Sequence, residues 1–228
     1  MKILIILATV LFSLTLNAQD INGTYHEGTD TITFNDNHVT FAVKSNDGLG
    51  IIYTGEGTYE MIDDFILINT GAYTGAKTKI EMKPAEKKDT LQIQFFDDKG
   101  YSIKGVRAEF INKSGKTITL DTSNDNGIVI HKADPKIVGV KASDLLYDKT
   151  TFDCEADKDY TVYLVKNRVL EDKTAVFKLI DKTDAELTMK LLSTDFNKKN
   201  PSASHLQKLD KKTKETIDRA RLFEKPEE

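Results

Sequence analysis

Disulfides are excluded first: Cys154 is the only cysteine in 228 residues, so no intrachain bridge can form and the fold must be held by its cores. Tryptophan is missing altogether. That removes the largest aromatic platform on which a sugar ring could stack. Proline is scarce, and none of Pro84, Pro135, Pro201 and Pro226 interrupts a strand pattern. No excess of one charge is present either: 32 basic against 36 acidic residues, well mixed, give a net charge of −4 and offer nucleic acid nothing to bind.

Catalytic signatures are absent as well. His26, His38, His131 and His205 never fall at a helical i,i+4 spacing, so the zinc-hydrolase pattern does not occur. There is no Gly-x-Ser-x-Gly elbow, no phosphate-cradling loop and no dinucleotide glycine fingerprint. Asp63-Asp64 and Asp97-Asp98 are acid pairs of the kind glycosidases use, but among 36 acidic residues they read as surface turns. Asp121-Thr122-Ser123-Asn124-Asp125-Asn126-Gly127 alternates oxygens like a calcium loop. It fails the EF-hand register, because the sixth position is Asn126 and the twelfth Lys132, and it reads as a hairpin turn. The expectation is a protein without enzymatic activity, cofactor or metal.

What is present begins at the N-terminus. Lys2, an apolar run over 3–16 and then Leu16-Asn17-Ala18 before Gln19 form the charged, apolar and small-residue regions of a secretory signal, cut after Ala18. As a helix the run spans only about 21 Å, short of a hydrocarbon core of roughly 30 Å. No later segment approaches a membrane span. Export to the periplasm, the medium or the cell surface is expected, without a lipid anchor, since Ala18 and Gln19 stand where a lipid-modified precursor carries cysteine.

The remainder is long enough for two domains of roughly 100 residues each. In the first, expected over 20–84, Ile32 and Phe34 alternate with Thr31 and Thr33, and Val39, Phe41 and Val43 alternate with Thr40 and Ala42, which makes a hairpin. Short strands over 51–53 and 57–60 follow, then a turn at Asp63-Asp64, the apolar run Phe65-Ile66-Leu67-Ile68, and an alternating strand with Thr78, Ile80 and Met82. The pattern predicts a small antiparallel meander or half-barrel, similar to a lipocalin-like β-meander. The boundary is expected in the charged stretch around Pro84.

The second domain, expected over 89–195, keeps period two: Leu91, Ile93 and Phe95, then Val106, Ala108 and Phe110, with later strands near 118–120, 127–131, 137–142, 160–165, 175–180 and 187–192. This predicts an Ig-like β-sandwich. Three stretches carry a resemblance: Asp98-Lys99-Gly100-Tyr101-Ser102-Ile103-Lys104-Gly105-Val106-Arg107-Ala108, the Asp121 to Gly127 turn with Ile128-Val129-Ile130, and Tyr160-Thr161-Val162-Tyr163-Leu164. Over roughly 89–165 the chain resembles the carboxypeptidase regulatory-like, transthyretin-like β-sandwich family. The resemblance implies a glycine-led turn opening a strand, an Asn-Gly turn before the next strand, and a Tyr-x-Val strand packed late in the sandwich. Ser102 stands where that family often has proline. The resemblance also implies a non-catalytic accessory module on an exported protein, with no active site to carry over.

After Pro201 the period changes. Leu206, Leu209, Thr213, Ile217 and Ala220 predict one amphipathic helix over 202–223, opened by a capping box of Ser204 with Gln207, its narrow apolar stripe docked on its own chain or else on a partner helix or surface. Asp210 with Lys214 and Glu215 with Arg219 fall at i,i+4 spacing.

Two residues are candidates for ligand contact: Tyr73, in the small-residue loop Thr70-Gly71-Ala72-Tyr73-Thr74-Gly75, and His26, which could approach His38 across strands. Cys154 shares a strand face with Phe152 and reads as a buried, inert thiol. The sequence thus predicts an exported all-β binding or structural-interaction protein whose partner is a protein or a glycan. Two alternatives are a carbohydrate- or lipid-binding module with a groove in the first domain, and a hydrolase assembled from scattered residues.

Overall fold

The structure, a computed structural model, describes residues 21–45, 50–87, 89–155, 157–214 and 220–226. The export signal expected over 1–18 lies outside them. The chain is mostly strand with one short helix among the described residues.

It opens with five antiparallel strands in sequence order: β1 (Gly23–Glu27), β2 (Asp30–Asn35), β3 (His38–Lys44), β4 (Ile52–Ile62) and β5 (Phe65–Thr70). Two-residue turns join β2 to β3 and β4 to β5. In each the first turn residue is an aspartate, Asp36 at φ 54° and Asp63 at φ 53°, a conformation that short polar side chains tolerate. The strands expected at 51–53 and 57–60 are one continuous β4, because Gly55 sits within its ladder opposite Phe41 instead of turning the chain.

The chain then leaves this sheet. The next eight strands are β6 (Lys79–Pro84), β7 (Thr90–Asp97), β8 (Arg107–Ile111), β9 (Thr117–Thr122), β10 (Ile128–Lys132), β11 (Gly139–Ser143), β12 (Thr150–Asp153) and β13 (Lys158–Leu164). They form two four-stranded sheets, ordered β10-β7-β13-β6 and β12-β11-β8-β9, with β7 and β13 parallel. Leu91, Ile93, Phe95 and Val162 of one sheet meet Ala108, Phe110, Val140 and Phe152 of the other in a single buried cluster. Period-two alternation produces this directly, since every second residue faces the opposite sheet.

On its return the chain rebuilds the first sheet. A two-residue strand β14 (Arg168–Val169) runs parallel to β4, and β15 (Thr174–Lys182), β16 (Glu186–Ser193), helix α1 (Ala203–Lys214) and β17 (Arg221–Glu224) follow. Strand β15 pairs with β5, β16 with β15, β17 with β16, and β1 with β17. With β4 on β5, this closes an antiparallel barrel of β1 to β5 and β15 to β17.

The first sheet is therefore a closed barrel and not the half-barrel expected of 20–84. Its closing strands come from beyond the second unit. Lys79–Pro84, expected in the first unit, pairs with β13, and Thr174–Lys182 and Glu186–Ser193, expected in the second, belong to the barrel. Alternation marks a strand without saying which sheet receives it.

The helix expected over 202–223 starts at Ala203, and the chain is a strand by Arg221. Ser202, not Ser204, holds the N-cap position: its carbonyl accepts the first helical bonds from the His205 and Leu206 amides at 2.9 and 3.1 Å, and its hydroxyl lies 3.1 Å from His205 Nδ1. Asp210 reaches Lys178; the side chain of Lys214, expected beside Asp210, lies outside the described residues. The pairing of Glu215 with Arg219 lies outside the described residues.

Candidate functional site

A ligand-binding barrel needs an open interior, and among the described residues this one is packed with side chains. Tyr25, Ile32, Phe34, Val39, Phe41, Ile66, Ile68, Phe177, Leu187 and Met189 share one buried cluster. Phe34 lies edge-on to both Tyr25 and Tyr59, and Phe41 lies edge-on to Phe177. Leu170, just past β14, joins the same cluster, its amide held by the Thr54 carbonyl at 2.8 Å. A recess between Val43, Lys44, Phe177, Met189, Leu191, Arg221 and Phe223 has a volume of about 10 Å³, room for one water at most.

Charges beside that recess neutralise one another. Asp30, fully buried, accepts from Arg221 Nη1 at 2.6 Å and from the Lys44 amide at 2.5 Å. Glu27 also pairs with Arg221, and burial pulls the guanidinium pKa down. This arrangement ties the last strand to the β1–β2 turn and the end of β3. It closes a barrel seam and leaves no charge pointing at a ligand.

Both faces of β5 are covered, which is why its sequence is an unbroken apolar run. Ile66 and Ile68 point into the barrel, while Phe65 and Leu67 lie outside with Val176 and Leu192 under Leu206 of α1. The helix thus docks on its own chain, as expected. Lys178 reinforces the contact, reaching Asp210 at 2.8 Å and Asp64 at 3.3 Å, and its pKa rises chiefly through the hydrogen bond to Asp210.

The two candidate ligand residues lie on different elements. His26 is exposed on β1, opposite Glu224 of β17, with Nδ1 3.3 Å from the Thr31 hydroxyl. Tyr73 is half-buried in the connection from β5 to β6, and its ring packs over Gly75. Its amide donates to Glu171 at 2.6 Å, and Glu171 also holds Lys77 at 2.5 Å. Tyr73 therefore belongs to the neck where the outgoing and returning chains are tied together.

Asp148, in the β11–β12 connection, also reaches that neck. Its amide donates to the Val165 carbonyl at 2.8 Å, and its carboxyl faces the backbone N–H groups of Lys149 and Val169. Desolvation dominates and pushes its pKa up to about 6.

His131 and Asp121 form the arrangement nearest to acid–base chemistry. His131 Nδ1 lies 2.7 Å from Asp121 Oδ2, and the imidazole stacks on Phe110 with ring centroids 4.4 Å apart. The pair bridges β9 and β10, the neighbouring edges of the two sheets. The oxygen-rich turn beside it is spent on its own backbone: Asn124 Oδ1 accepts from the Asn126 and Ile128 amides at 3.0 Å each, and Gly127 takes φ 74°. Asp97 is likewise buried in its turn, accepting from the Lys99 and Tyr101 amides. Cys154 is buried and its thiol is pushed up to about 11 by desolvation, which suppresses the thiolate at neutral pH. Among the described residues no three His, Cys, Asp or Glu side chains cluster as a metal site would require.

Sequence reading missed the surface that stands out in the structure. Ile80, Met82, Tyr101, Ile118, Leu120, Ile130, Leu145 and Leu146 are exposed, and all belong to the inserted two-sheet unit; Ile180 and Leu222 are the exposed counterparts on the barrel. One signal was available: in Lys79-Ile80-Glu81-Met82-Lys83-Pro84, charge alternates with apolar residues and proline ends the run, as on a sheet edge.

No protein-family model and no curated protein matches this chain. Among solved structures it is similar to native alpha-2-macroglobulin from Escherichia coli spanning domains MG0-NIE-MG1, at 15% identity and a TM-score of 0.29. The match covers 59% of this chain and 60% of that one. A likeness at that score carries no argument about fold or function.

Proposed function

We propose that this chain is an exported, non-catalytic interaction protein in which a self-contained barrel holds out a two-sheet unit that contacts the partner. The observation that carries this reading is the uneven distribution of exposed large apolar side chains among the described residues, eight in the inserted unit against two on the barrel. Exposed apolar groups gathered on one unit favour a protein surface as partner.

The inserted unit is proposed to be of the transthyretin-like, carboxypeptidase regulatory-like kind. Three features support that: Gly105 at φ 86° opens β8, the Asn124 to Gly127 turn precedes β10, and Tyr160 and Val162 are buried on β13. An accessory role on an exported protein follows from the same resemblance. The filled barrel weighs against a lipid carried inside it.

The test compares capture of partners from an envelope extract by the wild-type chain, by a Tyr101→Ser/Leu145→Ser/Leu146→Ser variant and by Leu222→Ser. The reading expects a partner that is lost with the triple variant and kept with Leu222→Ser. Capture indifferent to the triple variant, or hydrolytic turnover in an activity panel, would overturn it.

A further inference from the structure

Among the described residues strand β6 is an open sheet edge, and its charges complement themselves. It lies outermost in the order β10-β7-β13-β6, and all six of its residues are exposed, Ile80 at 36% and Met82 at 68%. The Ala85 amide donates to the Asp157 carbonyl at 2.8 Å, which makes 85 and 157 a hydrogen-bonded pair of the antiparallel ladder. Period two then turns the backbone groups of Lys79, Glu81 and Lys83 toward β13, and those of Ile80 and Met82 outward. The side chains divide the same way: Lys79, Glu81 and Lys83 share one face, Ile80 and Met82 the other.

We propose that two copies of this chain associate by antiparallel pairing of β6 with β6 about a two-fold axis at Met82. Outward backbone groups must meet outward ones, so the axis falls on a residue, and four positions, Ile80 to Lys83, overlap the strand by three residues or more. An axis at Glu81 sets Glu81 against its own copy and Lys79 against Lys83, like charges throughout. An axis at Ile80 or at Lys83 overlaps only three residues of the strand, and the latter sets Lys83 against its own copy. An axis at Met82 sets Glu81 against the second copy's Lys83 twice, Met82 against Met82, and Ile80 against Pro84, which lacks only an N–H.

Within the chain Glu81 pairs with Lys79 at 2.5 Å and Lys83 with Glu86 at 2.7 Å, both exposed contacts that exchange at little cost. Lysine and proline on an edge are devices against indiscriminate pairing. Glu81 between the two lysines leaves one register open. The inference goes beyond the proposed function and stands whichever partner the inserted unit contacts.

The experiment is sedimentation equilibrium of the purified protein over a concentration series, with circular dichroism to show that each variant is folded. The expected result is a mass rising from one chain toward two with concentration. Glu81→Lys should hold the mass at one chain, and Glu81→Lys combined with Lys83→Glu should restore the rise. A wild-type chain that stays at one mass, a dimer that survives Glu81→Lys, or a double variant that stays monomeric would each overturn the proposal.

Discussion

Asn69 and Thr174 stand opposite each other in one antiparallel ladder, joined by a 2.9 Å hydrogen bond from the Thr174 hydroxyl to Asn69 Oδ1, although 105 positions separate them in the chain. The Thr70 amide also donates to the Lys173 carbonyl at 2.8 Å. The chain thus leaves the barrel and returns to it at adjacent points. A complete unit can be inserted there because exit and entry already lie one strand apart.

Gly57 marks the place where β4 and β5 close the barrel. A Cβ at this position would fall against the Asn69 carbonyl oxygen, well inside contact distance and against backbone that cannot move aside cheaply. Gly57→Ala should cost roughly 1–3 kcal/mol of stability, read from the midpoint of denaturant unfolding. An unchanged midpoint would show that the seam is looser than described.

Leu206 is the anchor of α1, fully buried against Phe65, Leu67 and Val176. Leu206→Ala should cost about 3 kcal/mol and release amide-exchange protection in the helix before the barrel strands. If helix and barrel lose protection together, the helix is not a separately docked element.

Asp148 gives stability a pH dependence of known sign. Its folded pKa of about 6 lies above its ordinary 3.8, so the folded chain binds more protons between those values and stability falls as pH rises from about 4 through 6. Above pH 6 the carboxylate is charged in a desolvated site near Glu171. Asp148→Asn should therefore stabilise at pH 7.5, by about 1 kcal/mol after allowance for solvent screening, and have no effect at pH 4. Equal effects at both pH values would contradict the assignment.

Much of the local structure was legible. The Thr31 to Val43 hairpin, the Asp63-Asp64 turn and the double-sided burial of Phe65-Ile66-Leu67-Ile68 all follow from period and turn chemistry. Sheet membership was not legible, because Ala175 and Phe177 alternate in the barrel as Ile93 and Phe95 do in the inserted unit. Arg221-Leu222-Phe223-Glu224 was hidden for a different reason: the helical spacing from Leu206 through Leu209 and Thr213 extends to Ile217 and Ala220 and absorbs the strand that follows. Gly23-Thr24-Tyr25 and Gly57-Thr58-Tyr59 share a tripeptide for two separate reasons, since Gly23 takes φ 135° beneath Lys225 while Gly57 admits the Asn69 carbonyl. For the candidate site, Tyr73 and His26 were chosen by residue type, and residue type carries no information on which element a side chain packs against.

Excision tests the central claim, that a closed barrel carries an inserted unit, most directly. Replacing 77–166 with a short glycine-containing turn should leave a folded barrel with β14, Leu170 and α1, and 77–166 expressed alone should fold by itself, each with a cooperative thermal transition. If neither piece folds, the two units are a single cooperative structure and the account is contradicted.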